Sequence, residues 1–392
     1  MEKLKVGYLI NSYPYKRNII DIVNDVDYIH VSDIYKLARI PLKILCKLKL
    51  YNKEKLSNNL FTFNDFNLNR VDLLHFFNTV SYGRTPWIST FETFIPRYSG
   101  LMNHQKNGIM GNDNNVHKAL SAISSNSCKK IIALSECTLN FQKQLLNKYP
   151  QYKDNIQKKL CVLHPPQRLF INNIEEKGLS INDEISFIFI GRTFFGKGGL
   201  EVLKVFEKLR NKSNLPIRLT LVSSLAINDH SSRAGERELN IAKKIIYENK
   251  SWIKYFYELP NDEVLKLMRK HHVGLLPTWA DTYGYSVLEM QANGCPVIST
   301  DVRALPEINN DEKGWLINAS KNELGEAFYS TLEEREILSK SIAGQLEEIV
   351  LEIFNDRHSI NQKAQQSINY IRENHSMQKY ALKLMGIYSE CV

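Results

Sequence analysis

Long apolar runs are missing from this 392-residue chain. No stretch of about 18 apolar residues occurs, so no helix spanning a bilayer is expected. The opening residues, Met-Glu-Lys-Leu-Lys-Val-Gly-Tyr-Leu-Ile, have neither the longer apolar run nor the cleavage site of a secretory signal. A cytoplasmic location is therefore expected. Cysteine is scarce: Cys46, Cys128, Cys137, Cys161, Cys295 and Cys391 are scattered, and none forms a C-x-x-C pair. That spacing sets aside zinc and redox motifs and fits reduced, buried thiols. Internal repeats and low-complexity tracts are absent too. No glycine-rich loop is followed by Gly-Lys-Ser/Thr at the required spacing, which excludes a P-loop nucleotide site.

What remains is an ordinary globular composition, 43% hydrophobic and 24% charged, in a chain long enough for two domains. The net charge of +9 is one-sided. Residues 1–165 hold 23 Lys and Arg against 12 Asp and Glu, and the remainder is slightly acidic. A positive field over the first half favours anionic partners such as phospholipid or pyrophosphate-linked substrates. Nucleic acid is not expected, because no recognised binding module accompanies the charge.

Short β-branched runs alternate with helical patterns. Leu4–Ile10, Val71–Phe77, Trp87–Phe91, Lys130–Leu134 and Leu160–Leu163 read as strands, with helical patterns at Asn115–Ser125 and Thr138–Lys148 between them. Pro165-Pro166 closes this half. The alternation restarts at Ile185–Ile190 and continues through Ile217–Val222, Val273–Leu276 and Pro296–Ser299. From about Leu324 the pattern is helical. Such alternation predicts an α/β protein with two doubly wound parallel sheets. The expected domains are 1–168 and 184–375, joined by a polar linker over 169–183. A last helix over 376–392 is expected to pack back on the first domain. Ligands of open α/β sheets bind at the carboxyl ends of the strands, so a cleft between those ends is the expected site.

Two segments suit that site. The strand Ile185–Ile190 runs into Gly191-Arg192-Thr193-Phe194-Phe195-Gly196-Lys197-Gly198-Gly199, and a helix follows. Glycines allow close backbone approach, and a helix N-terminus offers free N–H groups and a positive dipole end. Arg192 and Lys197 add two cations, and together these suit a diphosphate. The second segment, Pro277 to Glu289, follows the strand Val273–Leu276 and enters a helix near Gly284. Asp281 precedes that helix. Glu289 lies within it on an apolar stretch, where a carboxylate needs hydrogen-bond partners such as ribose hydroxyls.

At these residues the sequence resembles glycosyltransferase family 4, retaining enzymes of the two-domain GT-B fold. The family hallmark is a carboxylate, seven residues, then Glu, followed by a segment like A-x-G-x-P-V-I. Asp281 and Glu289 have that spacing, and Ala292-Asn293-Gly294-Cys295-Pro296-Val297-Ile298 follows. Gly191, Arg192, Lys197 and Gly198 match the family's G-R-x-x-x-x-K-G element. The resemblance implies that Arg192 and Lys197 bind the donor diphosphate, Glu289 holds the ribose and Asp281 faces the donor sugar. It lays the backbone of Tyr283, Gly284 and Tyr285 against the phosphates and the loop Leu259–Glu263 near the base. Two residues depart from the pattern: Asp281 stands where Glu is usual, and Glu92 stands where a T-x-H segment usually supplies His. Glu92 and Asp281 are thus the expected catalytic pair, whereas His75 reads as structural.

The resemblance implies metal-independent transfer of a hexose-type sugar from a nucleoside diphosphate, UDP ahead of GDP, with no other cofactor. The acceptor would be a hydroxyl on a glycan or a polyprenyl-pyrophosphate-linked sugar, as in bacterial surface polysaccharide or lipopolysaccharide assembly. Rival readings are a sugar epimerase or phosphorylase on this fold, and a non-catalytic nucleotide-sugar-binding partner of another transferase. The long aperiodic segment Thr90–Gly111 is the expected acceptor loop, with Glu92 at its base and Arg97 available to an anionic group. Residues 34–55 carry seven cations against Glu54 alone, with apolar residues near helical spacing. They predict two short helices broken at Pro41 that lie on an anionic membrane surface, inside the cell.

Overall fold

The computed structural model describes residues 2–52, 56, 58–103, 105, 108–109 and 111–392. The chain divides into two units, Met1–Pro166 with Met377–Val392, and Gln167–Ser376.

In the first unit the strands are β1 (Leu4–Tyr8), β2 (Val26–His30), β3 (Thr62–Phe63), β4 (Leu73–Phe77), β5 (Val80–Ser81), β6 (Trp87–Phe91), β7 (Cys128–Ala133) and β8 (Leu160–Val162). Six of them make a parallel sheet in the order β2-β1-β4-β6-β7-β8, while β3 and β5 pair separately. The helices are α1 (Tyr13–Asn18), α2 (Ile34–Lys47), α3 (Ser99–Met102), α4 (Asn114–Ser124), α5 (Glu136–Asn147) and α6 (Pro150–Gln157). The central strands β4 and β6 are buried at every residue, as a sheet covered on both faces requires. Side-chain caps fix two helix starts: Asp113 accepts from Asn115 and Val116 N–H, and Ser135 accepts from Thr138 N–H.

The second unit begins with β9 (Ile185–Thr193) and α7 (Gly199–Lys212), then β10 (Ile217–Ser224), α8 (Glu236–Glu248), β11 (Ile253–Phe256) and α9 (Asn261–Arg269). It continues with β12 (Val273–Leu276), α10 (Tyr285–Ala292), β13 (Val297–Thr300), α11 (Leu305–Ile308), β14 (Gly314–Ile317), α12 (Leu332–Asn355) and α13 (His358–Asn374). Its parallel sheet has the order β11-β10-β9-β12-β13-β14. This is the doubly wound order in which the winding reverses between β9 and β12, the switch point at whose carboxyl end open α/β sheets bind their ligands.

The last helix, α14 (Met377–Cys391), belongs to the first unit. Tyr380, Leu384 and Tyr388, one helical turn apart, are buried among Val6, Leu73, Ile88 and Ile132. Tyr380 Oη donates to Asn18 O at 2.8 Å, and Tyr388 Oη lies 2.8 Å from His75 Nδ1.

Two sequence expectations need correction. Residues 169–183 do not form a free linker: Ile171 is buried, Phe170 N–H donates to Ala292 O, and half-buried Lys177 donates to Gly294 O at 2.6 Å. A few apolar anchors among polar residues suffice to bind that segment to the second unit. Residues 34–47 form one helix, not two. Pro41 sits on its exposed side, where water can serve the carbonyl that loses its amide partner. Lys53, Glu54 and Lys55 of the basic segment lie outside the described residues, as do the side chains of Lys36, Leu37 and Ala38. His104, Lys106, Asn107 and Met110 of the segment Thr90–Gly111 lie outside them too.

Candidate functional site

The loop after β9 and the loop after β12 meet at the switch point because glycines let them. Gly198 has φ +80°, and a Cβ there would stand 2.1 Å from Pro277 O. A Cβ on Gly199 would stand 2.3 Å from the buried Phe194 ring. Only glycine fits either position. The two loops are then tied by hydrogen bonds. Trp279 N–H donates to Gly196 O at 3.0 Å, and Thr278 Oγ1 donates to the same oxygen at 3.2 Å.

This seam delivers Lys197 to Asp281, 84 residues away. Lys197 Nζ donates to Asp281 Oδ2 at 2.5 Å and to Ala280 O at 3.0 Å. The other carboxylate oxygen, Oδ1, accepts from Tyr283 N–H at 3.1 Å and Gly284 N–H at 3.0 Å. Burial opposes the charge on Asp281. The Lys197 ammonium and the two backbone N–H groups outweigh it and hold the carboxyl below the ordinary carboxylate value.

Asp281 therefore caps the approach to α10 and neutralises Lys197 at once. Two of the backbone N–H groups that the resemblance assigns to phosphates are already bonded to Asp281. Gly284, φ +92°, makes the turn into α10, where Leu305 Cδ2 would lie 2.4 Å from any Cβ. The rings of Tyr283 and Tyr285 lie 5.3 Å apart. Glu289, 9% exposed, lies one turn further along α10.

Arg192 stands at the end of β9 with its side chain exposed and makes no ion pair among the described residues. Its strand end is fixed through the backbone: Ser224 Oγ donates to Arg192 O at 2.6 Å, and Ser223 Oγ donates to Gly191 O. The stretch Leu259–Glu263 is part loop and part helix, since α9 begins at Asn261.

Gly196, Pro277, Thr278 and Trp279 lie in the two segments the sequence singles out, but the clamp they form between the loops is visible only in the fold. Outside the sequence reading altogether is Glu201, a buried carboxyl in the first turn of α7 that accepts from Ser339 Oγ at 2.6 Å. Burial raises its pKa. The signal for Glu201 was its place in the apolar run Gly-Leu-Glu-Val-Leu; the clamp left none.

In the first unit, Glu92 follows β6 and Asn78 follows β4. Asn78 Nδ2 donates to Glu92 Oε1 at 3.3 Å, and Glu92 N–H donates to Asn78 Oδ1 at 3.2 Å. Thr138 Oγ1 donates to Glu92 O at 3.2 Å. Arg97 donates to Glu92 Oε1, so the two expected acceptor-site residues form an ion pair with each other. The Arg97 guanidinium also lies 5.7 Å from the Phe61 ring centroid. His75 is fully buried, with Nε2 2.8 Å from Thr90 Oγ1, and burial pushes its pKa down to about 3. It is a neutral structural residue.

A match decides what the second unit is similar to. Residues 170–345 match the family model of the glycosyl transferases group 1. The group 1 segment covers the glycine-rich loop, the clamp, Asp281 and Glu289, and it supports sugar transfer as the chemistry. No curated protein matches the chain. Among solved structures, a glycosyltransferase from Rickettsia africae is similar at 15% identity and TM-score 0.59, over 100% of this chain and 99% of that one. Anabaena HepE in complex with UDP is similar at 11% identity and TM-score 0.60, over 99% of each chain. Sucrose-phosphate synthase from Thermosynechococcus elongatus is similar at 12% identity and TM-score 0.59, also over 99% of each. These likenesses establish the fold: two Rossmann-like units of GT-B type.

Proposed function

We propose that the chain is a retaining glycosyltransferase that takes a hexose from a nucleoside diphosphate sugar, UDP ahead of GDP. The observation that carries this reading is the glycine-rich corner at the switch point, with Arg192 exposed and Lys197 held by Asp281. There Arg192 stands at the carboxyl end of β9, and Lys197, in the turn that follows, is tied through Asp281 to the turn that enters α10. Departure of a diphosphate builds negative charge on its oxygens, and fixed cations with helix N–H groups stabilise such charge. No metal enters the reading. The UDP bound by HepE and the name of the group 1 family support a nucleotide-sugar donor.

In this reading Arg192 and Lys197 hold the diphosphate, Glu289 holds the ribose, and Asp281 faces the sugar. Tyr283, Gly284 and Tyr285 line the phosphate side through their backbone. Glu92 and Arg97, on the first unit, serve the acceptor, a glycan or lipid-linked hydroxyl in surface polysaccharide or lipopolysaccharide assembly. Contact with an anionic membrane fits α2. Ile40, Ile44 and Leu48 are exposed at successive turns, with exposed Lys43 and Lys47 beside them. Among the described residues, no helix is long and apolar enough to cross a membrane.

A second reading, a nucleotide-sugar binder that transfers nothing, draws on the same ion pairs, since both expected catalytic carboxylates are engaged by cations. Proton NMR of the purified chain with UDP-glucose and other nucleotide sugars separates the two. Consumption of donor with the α-configuration kept in the released or transferred sugar supports transfer. Intact donor across the panel, with nucleotide bound, makes the chain a binder.

A further inference from the structure

The outer edge of the second sheet carries a groove that the donor site does not use. It runs between α8 and the edge strand β11 and holds about 760 Å³. Its lining from the α8 side includes Lys243 and Tyr247, one helical turn apart, and Lys250 in the turn just beyond the helix. Tyr255 and Tyr257 face them, two positions apart on and just beyond β11. None of Gly191, Arg192, Lys197, Asp281 or Glu289 lines it.

Three properties of the groove narrow its ligand. Its aromatic residues are all tyrosines, and Tyr247 and Tyr257 are 70% and 67% exposed. A tyrosine presents a flat apolar face with a hydroxyl at its edge, which complements a pyranose ring with its C–H face and hydroxyl rim. Next, Lys243, Lys244 and Lys250 line the groove and no carboxylate does. The Lys250 ammonium lies 4.0 Å from the Tyr247 ring centroid, so cation and platform present a joint surface to an anion. Finally, the groove is open to solvent, and Leu225, Ala226, Leu239 and Ile246 add apolar lining. An acyl chain laid there would keep one side in water, whereas a sugar chain buries its apolar faces on such a lining and keeps its hydroxyls wet.

We propose that this groove binds an acidic oligosaccharide. The rings would stack on Tyr247 and Tyr257, and the lysines would pair with the sugar carboxylates. Binding rests on the groove alone. Only its use, holding an acidic glycan during transfer, rests on the transferase reading.

Isothermal titration of the full chain tests this with oligogalacturonides, whose every ring carries a carboxylate, beside neutral cello-oligosaccharides of equal length. The oligogalacturonide is expected to bind at least about tenfold more tightly than the neutral oligomer. Its affinity is expected to fall as salt rises from about 50 to about 300 mM, where exposed charges are screened. The double variants Tyr247→Ala/Tyr257→Ala and Lys243→Glu/Lys250→Glu should each lose about tenfold or more, while Tyr247→Phe/Tyr257→Phe stays within about threefold of the parent. Circular dichroism and thermal unfolding of the same variants report a folded chain independently of the groove and of nucleotide binding. Absence of oligogalacturonide binding at millimolar concentration would overturn the proposal. So would parental affinity in both disruptive variants, or equal binding of poly-glutamate or phosphatidylglycerol vesicles.

Discussion

Replacing Asp281 by Asn separates the two roles this residue combines. In the structure, Asp281 holds Lys197 through Oδ2 at 2.5 Å and caps Tyr283 and Gly284 N–H through Oδ1. A diphosphate that recruits Lys197 must share it with Asp281 or displace it. Asparagine keeps a side-chain oxygen for the caps but removes the negative charge, so the fold of the turn should persist. A hydrogen bond to a charged group contributes about 1.5–3 kcal/mol, and the neutral amide recovers part of this in the free state. The net release is then about 1–2 kcal/mol, or roughly 5- to 30-fold tighter binding of UDP. Turnover should move the other way, because the carboxylate expected to face the donor sugar is lost. Isothermal titration of UDP and a transfer or hydrolysis assay on the same preparation read both effects. Weaker UDP binding in a normally folded Asp281→Asn variant would refute the competition between Asp281 and phosphate for Lys197.

Three further outcomes follow from the geometry. Gly198→Ala places a Cβ 2.1 Å from Pro277 O at φ +80°, so thermal unfolding should show a loss of at least about 2 kcal/mol. A melting temperature equal to the parent's would mean the loop seam is not constrained as described. Charge reversal at Lys43, Lys47 and Lys49 should release the protein from anionic liposomes at low salt without changing UDP affinity, as a flotation assay would show. Stability should also fall with acid. Burial holds His75 at a pKa of about 3 and His271 and His272 at about 4, all below their unfolded value, so the unfolded chain takes up more protons as pH drops below about 6.5. Each histidine then removes about 2 kcal/mol by pH 5, and melting curves at pH 7.5 and 5 should differ accordingly. A flat profile would show that these rings take protons in the folded state.

The central strands were legible because they are buried on both faces. Ile185–Ile190 and Trp87–Phe91 read as apolar runs and became β9 and β6. The edge strands β2 and β11 were not legible. Val26–His30 and Ile253–Phe256 each expose part of their length, so Asp27, Lys254 and Tyr255 interrupt any continuous run. The Asp281–Glu289 spacing and the glycine-rich turn are local and could be found by inspection. The ion pair between Lys197 and Asp281 could not, because it depends on how Gly198 packs on Pro277 across 79 positions of sequence. Neither could the pairing of Arg97 with Glu92, where the sequence offered two separate residues and the fold joins them. Pro41 misled for a related reason: a proline costs a helix one backbone bond, and on an exposed face water replaces it.

The central claim is that the corner between β9 and α10 binds a nucleoside diphosphate through Arg192 and Lys197. Titration of UDP into the parent chain and into Arg192→Ala and Lys197→Ala tests it without reference to sugar, acceptor or turnover. The parent should bind, and each variant, folded by circular dichroism, should bind more weakly by about 1.5–3 kcal/mol, roughly 10- to 150-fold. Parental UDP affinity in both variants would contradict the claim.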